Sequence, residues 1–221
     1  MTTVAEVRLW GTRVGAVALP DDGEPGAGVA AFEYAPAFLN SGIELAPLTL
    51  PLAERVYRFP YLARRTFHGL PGLLADSLPD RFGNAVIDAW LATQGRTPES
   101  FNAVERLCYT GNRGMGALEF VPATGPRPRR AEHIRVDRLV ALASEILTHR
   151  DGLRGSFADE GRADSLRDIL RVGTSAGGAR AKAVIAWNPE TQEVRSGQVP
   201  ADEGFEQWLL KFDGVSGNRD K

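Results

Sequence analysis

The residues best suited to chemistry lie in the last quarter of the chain. Gly173-Thr174-Ser175-Ala176-Gly177-Gly178-Ala179-Arg180-Ala181-Lys182 runs directly into the apolar stretch Ala183-Val184-Ile185-Ala186-Trp187. A second apolar stretch, Trp208-Leu209-Leu210-Lys211-Phe212, carries one lysine. Small residues in succession let backbone N–H groups converge on one point, and such a concavity binds phosphate. A lysine inside a strand-like apolar run needs an anionic partner, because a buried ammonium is costly alone. Phosphate binding is therefore the chemistry these residues offer, with an ordinary glycine-rich connector as the alternative. The loop is not a Walker A motif, since no Gly-Lys-Ser/Thr closes it. It is not a dinucleotide-binding fingerprint either, since no suitable strand precedes it.

Other reactive side chains read as structural. Asp76 and Asp80 stand four residues apart. That spacing suits metal or acid–base work, but caps and turns ahead of a helix at Phe82 are the better use. His68, His133 and His149 have no metal-ligand spacing, and no metal site is expected. Cys108, the single cysteine, reads as a small buried hydrophobe rather than a nucleophile. Gly114 and Gly116 fit a tight turn into a strand better than a phosphate cradle.

The elements that must position the loop can be read from periodicity. Val4–Leu9 and Val14–Leu19 are expected as strands, with Trp10-Gly11-Thr12-Arg13 supplying the turn. Val29–Tyr34 is a third strand, which makes a small antiparallel sheet. Pro47, Pro51 and Pro60 then exclude helix interiors and central strands. Phe82–Gln94 reads as a helix with Phe82, Val86, Ile87, Trp90 and Leu91 on one face and Gly95 just past its end. Ser100 is the expected cap of the next helix, with Val104, Leu107 and Cys108 inward and Gly111 as its stop. A strand at Ala117–Val121 follows. Thr124–Arg130 is the best internal boundary, its arginines read as a solvated linker. A helix over Val136–Thr148, with Leu139, Val140, Ala143, Ile146 and Leu147 inward, and a short helix from Asp164 or Ser165 to Leu170 lead to the glycine loop. The fold class is α+β, divided as 1–125, a helical connector at 126–170, and 171–221.

The 221 residues, 43% of them hydrophobic, are enough for a real core in one large or two small domains. Twenty-six basic against 28 acidic residues give a net charge of −2, which provides no general drive toward nucleic acid or anionic membrane. One cysteine excludes an internal disulfide framework and fits a reducing compartment. Met1–Glu6 lacks a basic and apolar leader, and no apolar stretch approaches membrane-spanning length. The expectation is a soluble, cytoplasmic protein without membrane partners.

Loop, strand, then lysine-bearing strand is the order of parts in a protein-kinase N-terminal lobe. With that order in view, nearly the whole chain resembles the HipA family of bacterial serine/threonine kinases, the toxins of toxin–antitoxin pairs. The resemblance rests on Val14-Gly15, on Phe32-Glu33-Tyr34-Ala35-Pro36, on Leu48-Thr49-Leu50-Pro51-Leu52 and on Leu74–Asp80. It continues with Gly111-Asn112-Arg113-Gly114-Met115-Gly116-Ala117-Leu118 and with Gly173–Lys182.

The resemblance implies a HipA N-terminal module over 1–125 and the start of a kinase-like N-lobe over 171–221. It implies ATP as cofactor, with Mg²⁺ in the full-length parent. Gly177, Gly178, Ala179, Arg180, Ala181 and Lys182 correspond to the loop that holds the phosphates, and Lys211 to the lysine that contacts them. Many relatives have proline or glutamate where Ala181 stands. Ser175 corresponds to the serine that these kinases phosphorylate on themselves to switch off; read from the residues alone, its hydroxyl satisfies a local turn. The implied partners are a small helix-turn-helix antitoxin (HipB-like) and a protein substrate from the translation machinery, with DNA reached only indirectly through the antitoxin. The catalytic aspartate and the metal ligands of the family lie downstream of the lysine strand, so no catalytic residue is expected within these 221 residues and the polypeptide alone is expected to be inactive. The alternative is a non-catalytic module that engages a partner kinase or antitoxin.

Overall fold

The computed structural model describes residues 2–20, 28–126, 181–198 and 202–212, together with 134, 136, 139–141, 143 and 144. The expected α+β class is present. The chain divides into two units, Met1–Leu78 with Glu99–Gly125, and Pro79–Pro98 with Pro126–Lys221.

The first unit is built on a five-stranded antiparallel sheet in the order β4-β3-β2-β1-β5. β1 (Thr3–Leu9) and β2 (Thr12–Leu19) alternate as the sequence implies. Ala5, Val7 and Leu9 are buried from one strand, and Val17 and Leu19 from the other. The turn is tighter than four residues. Leu9 pairs with Thr12, leaving Trp10 and Gly11 at positive φ, the backbone that two-residue hairpins favour. β3 (Ala31–Tyr34) lies beside β2, with Gly15 opposite Tyr34. A side chain at Gly15 would overlap the Glu33 carbonyl oxygen, so only glycine permits this close approach.

The proline-punctuated segment contributes an edge strand, β4 (Val56–Arg58), which periodicity does not reveal. Its place is fixed by tyrosines. The Tyr34 hydroxyl donates to the Leu50 carbonyl at 2.7 Å, and the Tyr57 hydroxyl donates to the Pro51 carbonyl. The rings of Tyr34 and Tyr57 meet edge to face at 6.1 Å, an arrangement worth more than its buried area alone. Three single-turn helices, α1 (Pro36–Leu39), α2 (Arg64–Phe67) and α3 (Gly72–Ala75), complete this region.

α4 (Arg81–Thr93) starts where Asp80 caps it and ends with Gly95 at positive φ. Phe82, Val86, Ile87 and Leu91 are buried as expected, Ala85 and Ala89 with them, and Trp90 is half-buried. After a 3-10 turn at Pro98–Ser100, α5 (Ala103–Thr110) begins. Its cap is Asn102, not Ser100. Asn102 accepts from the Glu105 N–H while the Glu105 carboxylate accepts from the Asn102 N–H. This reciprocal box needs an acid three residues after the cap, which Ser100 lacks. Val104, Leu107 and Cys108 enter the core beside Phe32, Leu50 and Phe120. β5 (Leu118–Val121) then pairs with β1.

In the second unit, β6 (Lys182–Trp187), β7 (Val194–Ser196) and β8 (Glu206–Lys211) form an antiparallel sheet in the order β7-β6-β8. Two of its strands were expected; β7 was not. Residues 136, 139–141, 143 and 144 are helical, with Leu139 and Ala143 buried, in keeping with the helix read there. The helix expected from Asp164 or Ser165 to Leu170 lies outside the described residues.

Candidate functional site

The site is assembled within the second unit, where β6 opens and β8 closes. Lys182, the first residue of β6, is the register partner of Lys211, the last residue of β8. The ladder continues past them, because the Phe212 N–H donates to the Ala181 carbonyl at 3.0 Å. Ala181, Ala183 and Phe212 are buried around this junction. Farther along, Trp187 and Trp208 meet edge to face at 6.3 Å.

The two lysines face each other but live in different surroundings. The Lys182 side chain is 3% exposed and its Nζ lies 2.6 Å from Asp80 Oδ2. Lys211 is exposed. The argument that a lysine in an apolar run must find an anion holds, but it applies to Lys182 rather than to Lys211. Like charges on directly opposed strand residues repel, and the Asp80 carboxylate offsets one of them. The other, at Lys211, stays in water with its charge available to an anion.

Asp80 is held on several sides. Its Oδ1 accepts from the Gly83 N–H at 2.8 Å, the cap bond of α4. Its backbone carbonyl accepts from the Asn84 N–H at 2.8 Å and from Asn84 Nδ2 at 3.1 Å. Asn84 Nδ2 also reaches the Pro79 carbonyl at 2.6 Å. A carboxylate at a helix N-terminus is favoured by the helix dipole as well. The capping role expected for Asp80 is therefore present, and a second role is added to it. Sequence reading missed the Asp80–Lys182 pair. The available signal was Lys182 itself, a lysine opening an apolar run.

Of the remaining residues singled out in the sequence, Ser175, Gly177, Gly178, Ala179 and Arg180 lie outside the described residues. So do His133 and His149. Asp76 is the C-cap of α3. Among the described residues, no cluster of three or more His, Cys, Asp or Glu is placed to hold a metal ion. Cys108 is buried. Burial, and then the Glu105 charge, push its thiol up to about 11, so at neutral pH it is protonated and unreactive. Burial, and then Arg106, lower His68 from its ordinary value. No described helix is long and apolar enough to cross a membrane.

The donor set suits a nucleotide's phosphates in one respect. Lys211, exposed at the end of β8, stands in register with Lys182, which opens the strand after the glycine-rich segment, and its ammonium is of the charge a phosphate oxygen needs. ATP would supply a transferable phosphoryl group there.

No curated protein matches the sequence. The family described as HipA N-terminal domain matches residues 5–121, which is just over half of the 221-residue chain. The match spans the five-stranded sheet, α4 and α5. It also takes in Gly15, whose missing side chain allows the β2–β3 approach, and Tyr34, which ties down the Leu50 segment. On this match the chain belongs to the HipA family, and residues 5–121 are its N-terminal domain.

Proposed function

We propose that this chain is the amino-terminal part of an ATP-dependent serine/threonine protein kinase of the HipA type, the toxin of a toxin–antitoxin pair. The observation that carries the reading is the order of parts. A HipA N-terminal domain is followed by a strand pair that opens at Lys182 and closes on the exposed Lys211. In this reading Lys211 meets the nucleotide phosphates, and Gly177, Gly178, Ala179, Arg180, Ala181 and Lys182 form the loop beside them. Phosphoryl transfer depends on positioning and charge stabilisation. The N-lobe supplies the positioning, while the catalytic aspartate and the Mg²⁺ ligands belong to the C-terminal lobe of the parent. Ser175 is the site of self-phosphorylation. A phosphoserine adds about −1.5 to −2 charge next to groups that otherwise attract ATP, and so opposes nucleotide binding. The protein partner is a small helix-turn-helix antitoxin, and the phosphorylated substrate belongs to the translation machinery.

The test is equilibrium binding of a fluorescent ATP analogue to this chain, with Lys211→Ala alongside. A hydrogen bond to a charged group contributes about 1.5–3 kcal/mol, so the variant should bind roughly tenfold or more weakly. Equal binding by both proteins, or none by either, would remove the nucleotide site.

A second reading has one observation in its favour. The family match ends at residue 121, ahead of every residue assigned to ATP. A regulatory module that engages a partner kinase or antitoxin through residues 5–121 accounts for that match without nucleotide binding.

A further inference from the structure

The five-stranded sheet ends on β4, and the pairing of β3 shows which backbone groups β4 turns outward. Successive residues of an antiparallel strand point their N–H and carbonyl groups to opposite neighbours in turn. The Ala35 N–H donates to the Val14 carbonyl, on the β2 side, while the Ala30 N–H donates to the Gly69 carbonyl. By this alternation Phe32 faces β4 and bonds to Tyr57, its register partner. Val56 and Arg58 therefore turn their N–H and carbonyl groups away from the sheet. Among the described residues, no backbone hydrogen bond outside the ladder reaches either of them.

Short length and charge are the usual guards of an open edge, and β4 has both. Two observations go beyond protection. The first is apolar surface: Val56 is 51% and Tyr61 77% exposed. Tyr61 ends a row of side chains two residues apart. Arg55 lies over the Tyr57 ring at 4.3 Å, and the rings of Tyr57, Phe59 and Tyr61 follow at 6.5 and 6.0 Å. The second is charge of one sign. Residues 45–75 hold four arginines and a single acid, Glu54, in a chain whose net charge is −2. Arg55, Arg58 and Arg65 are exposed, and among the described residues none of them is in an ion pair. Even Glu33, in register with Val56, makes no ion pair with Arg58.

We propose that the outer edge of β4 is a docking site for an extended, acidic segment of a partner protein, which joins the sheet as a further strand. Val56 and Arg58 supply the backbone ladder, the arginines meet carboxylates, and Val56 and Tyr61 cover apolar side chains between them. Strand addition draws affinity from main-chain bonds and specificity from alternate side chains. Nucleic acid would offer phosphates to the arginines but no amide groups to the strand, so the open ladder favours a peptide. The inference goes beyond the ATP reading and uses none of its residues.

The test is fluorescence anisotropy of the whole chain at low salt with a labelled peptide of alternating glutamate and valine. Saturable binding is expected, with none for the matching lysine–valine peptide. Arg55→Glu/Arg58→Glu should weaken it about tenfold or more, because repulsion replaces attraction. Val56→Pro removes one outward N–H and leaves the Tyr57 bonds to β3, a place where an edge strand accepts proline. It should abolish binding at an unchanged melting temperature. Should that variant not fold, the same glutamate–valine peptide methylated on its valine nitrogens is read instead. It keeps every charge, cannot form the ladder, and is expected not to bind. Failure of the acidic peptide to bind the wild-type chain, or equal binding of the lysine peptide, overturns the proposal. So does equal binding of the methylated peptide, or by a folded Val56→Pro, since the attraction would then be charge without strand addition. Displacement of the peptide by oligothymidylate that itself binds Val56→Pro as well as wild type would assign the arginines to nucleic acid and overturn it too.

Discussion

Asp80 and Lys182 stand about a hundred residues apart in the chain, and their charged atoms stand 2.6 Å apart in the structure. One oxygen of the carboxylate caps α4 and the other takes the ammonium that opens β6. A single side chain thus sets the start of a helix and the start of a strand.

Breaking that pair from one side should be costly. Lys182→Ala leaves Asp80 buried with only its cap bond, and removal of one partner of a buried ion pair costs about 3–5 kcal/mol. Chemical denaturation, followed with a probe in the second unit, is expected to show a loss at or below the lower end of that range. The cap bond and the helix dipole still favour the carboxylate.

The cap of α5 offers a test of where that helix begins. Asn102 exchanges hydrogen bonds with Glu105, and its Nδ2 donates to Thr3 Oγ1 at 2.8 Å, which ties the helix to β1. Asn102→Ala should destabilise the first unit by about 1–2 kcal/mol, read as a lower melting temperature. A loss smaller than a few tenths of a kcal/mol would mean that the capping box does not set the helix start.

Gly15 should not accept even a methyl group. A Cβ there would overlap the backbone oxygen of Glu33, with the Phe32 ring close behind at 3.1 Å. Backbone cannot rotate away as a side chain can, so Gly15→Ala should cost about 1–3 kcal/mol, the usual range for overpacking. Thermal unfolding reads the loss, and hydrogen exchange should show it concentrated in β2 and β3.

Alkaline pH should weaken the fold, beginning with Cys108. Its thiol is raised from 9.0 to about 11 in the folded chain. The folded state therefore holds its proton more tightly than the unfolded state. This contribution is fully present below pH 9 and is lost as pH rises from about 9 through about 11. Tyr34 and Tyr109, raised mainly by burial from 10.0 to about 12, extend the same trend upward. Stability measured against pH should fall from about pH 9, and Cys108→Ala should flatten the first part of that fall. An unchanged slope in the variant would show that the thiol is not its source.

What could be read directly from the sequence was local. Alternation along β1 and β2, a turn within Trp10–Arg13, the apolar face of α4 and the stop at Gly111 all depend on residues within a few positions of one another. Periodicity and turn chemistry therefore suffice to find them. The Asn102–Glu105 box was equally local, since an Asn with an acid three residues on is a stronger start signal than Ser100. The blocks resembling the HipA family were also legible, and residues 5–121 match that family's N-terminal domain.

Tertiary structure decided whatever depends on distant partners. β4 is three residues between prolines, too short for a pattern, and it is a strand because β3 supplies the ladder and tyrosines hold the segment before it. Lys182 and Lys211 border similar apolar runs, and nothing within either run says which is buried. The difference arises because the chain brings one carboxylate, Asp80, to Lys182 and leaves Lys211 at the surface. A buried charge is tolerated only where its counter-charge is delivered, and that delivery depends on contacts made across the folded chain.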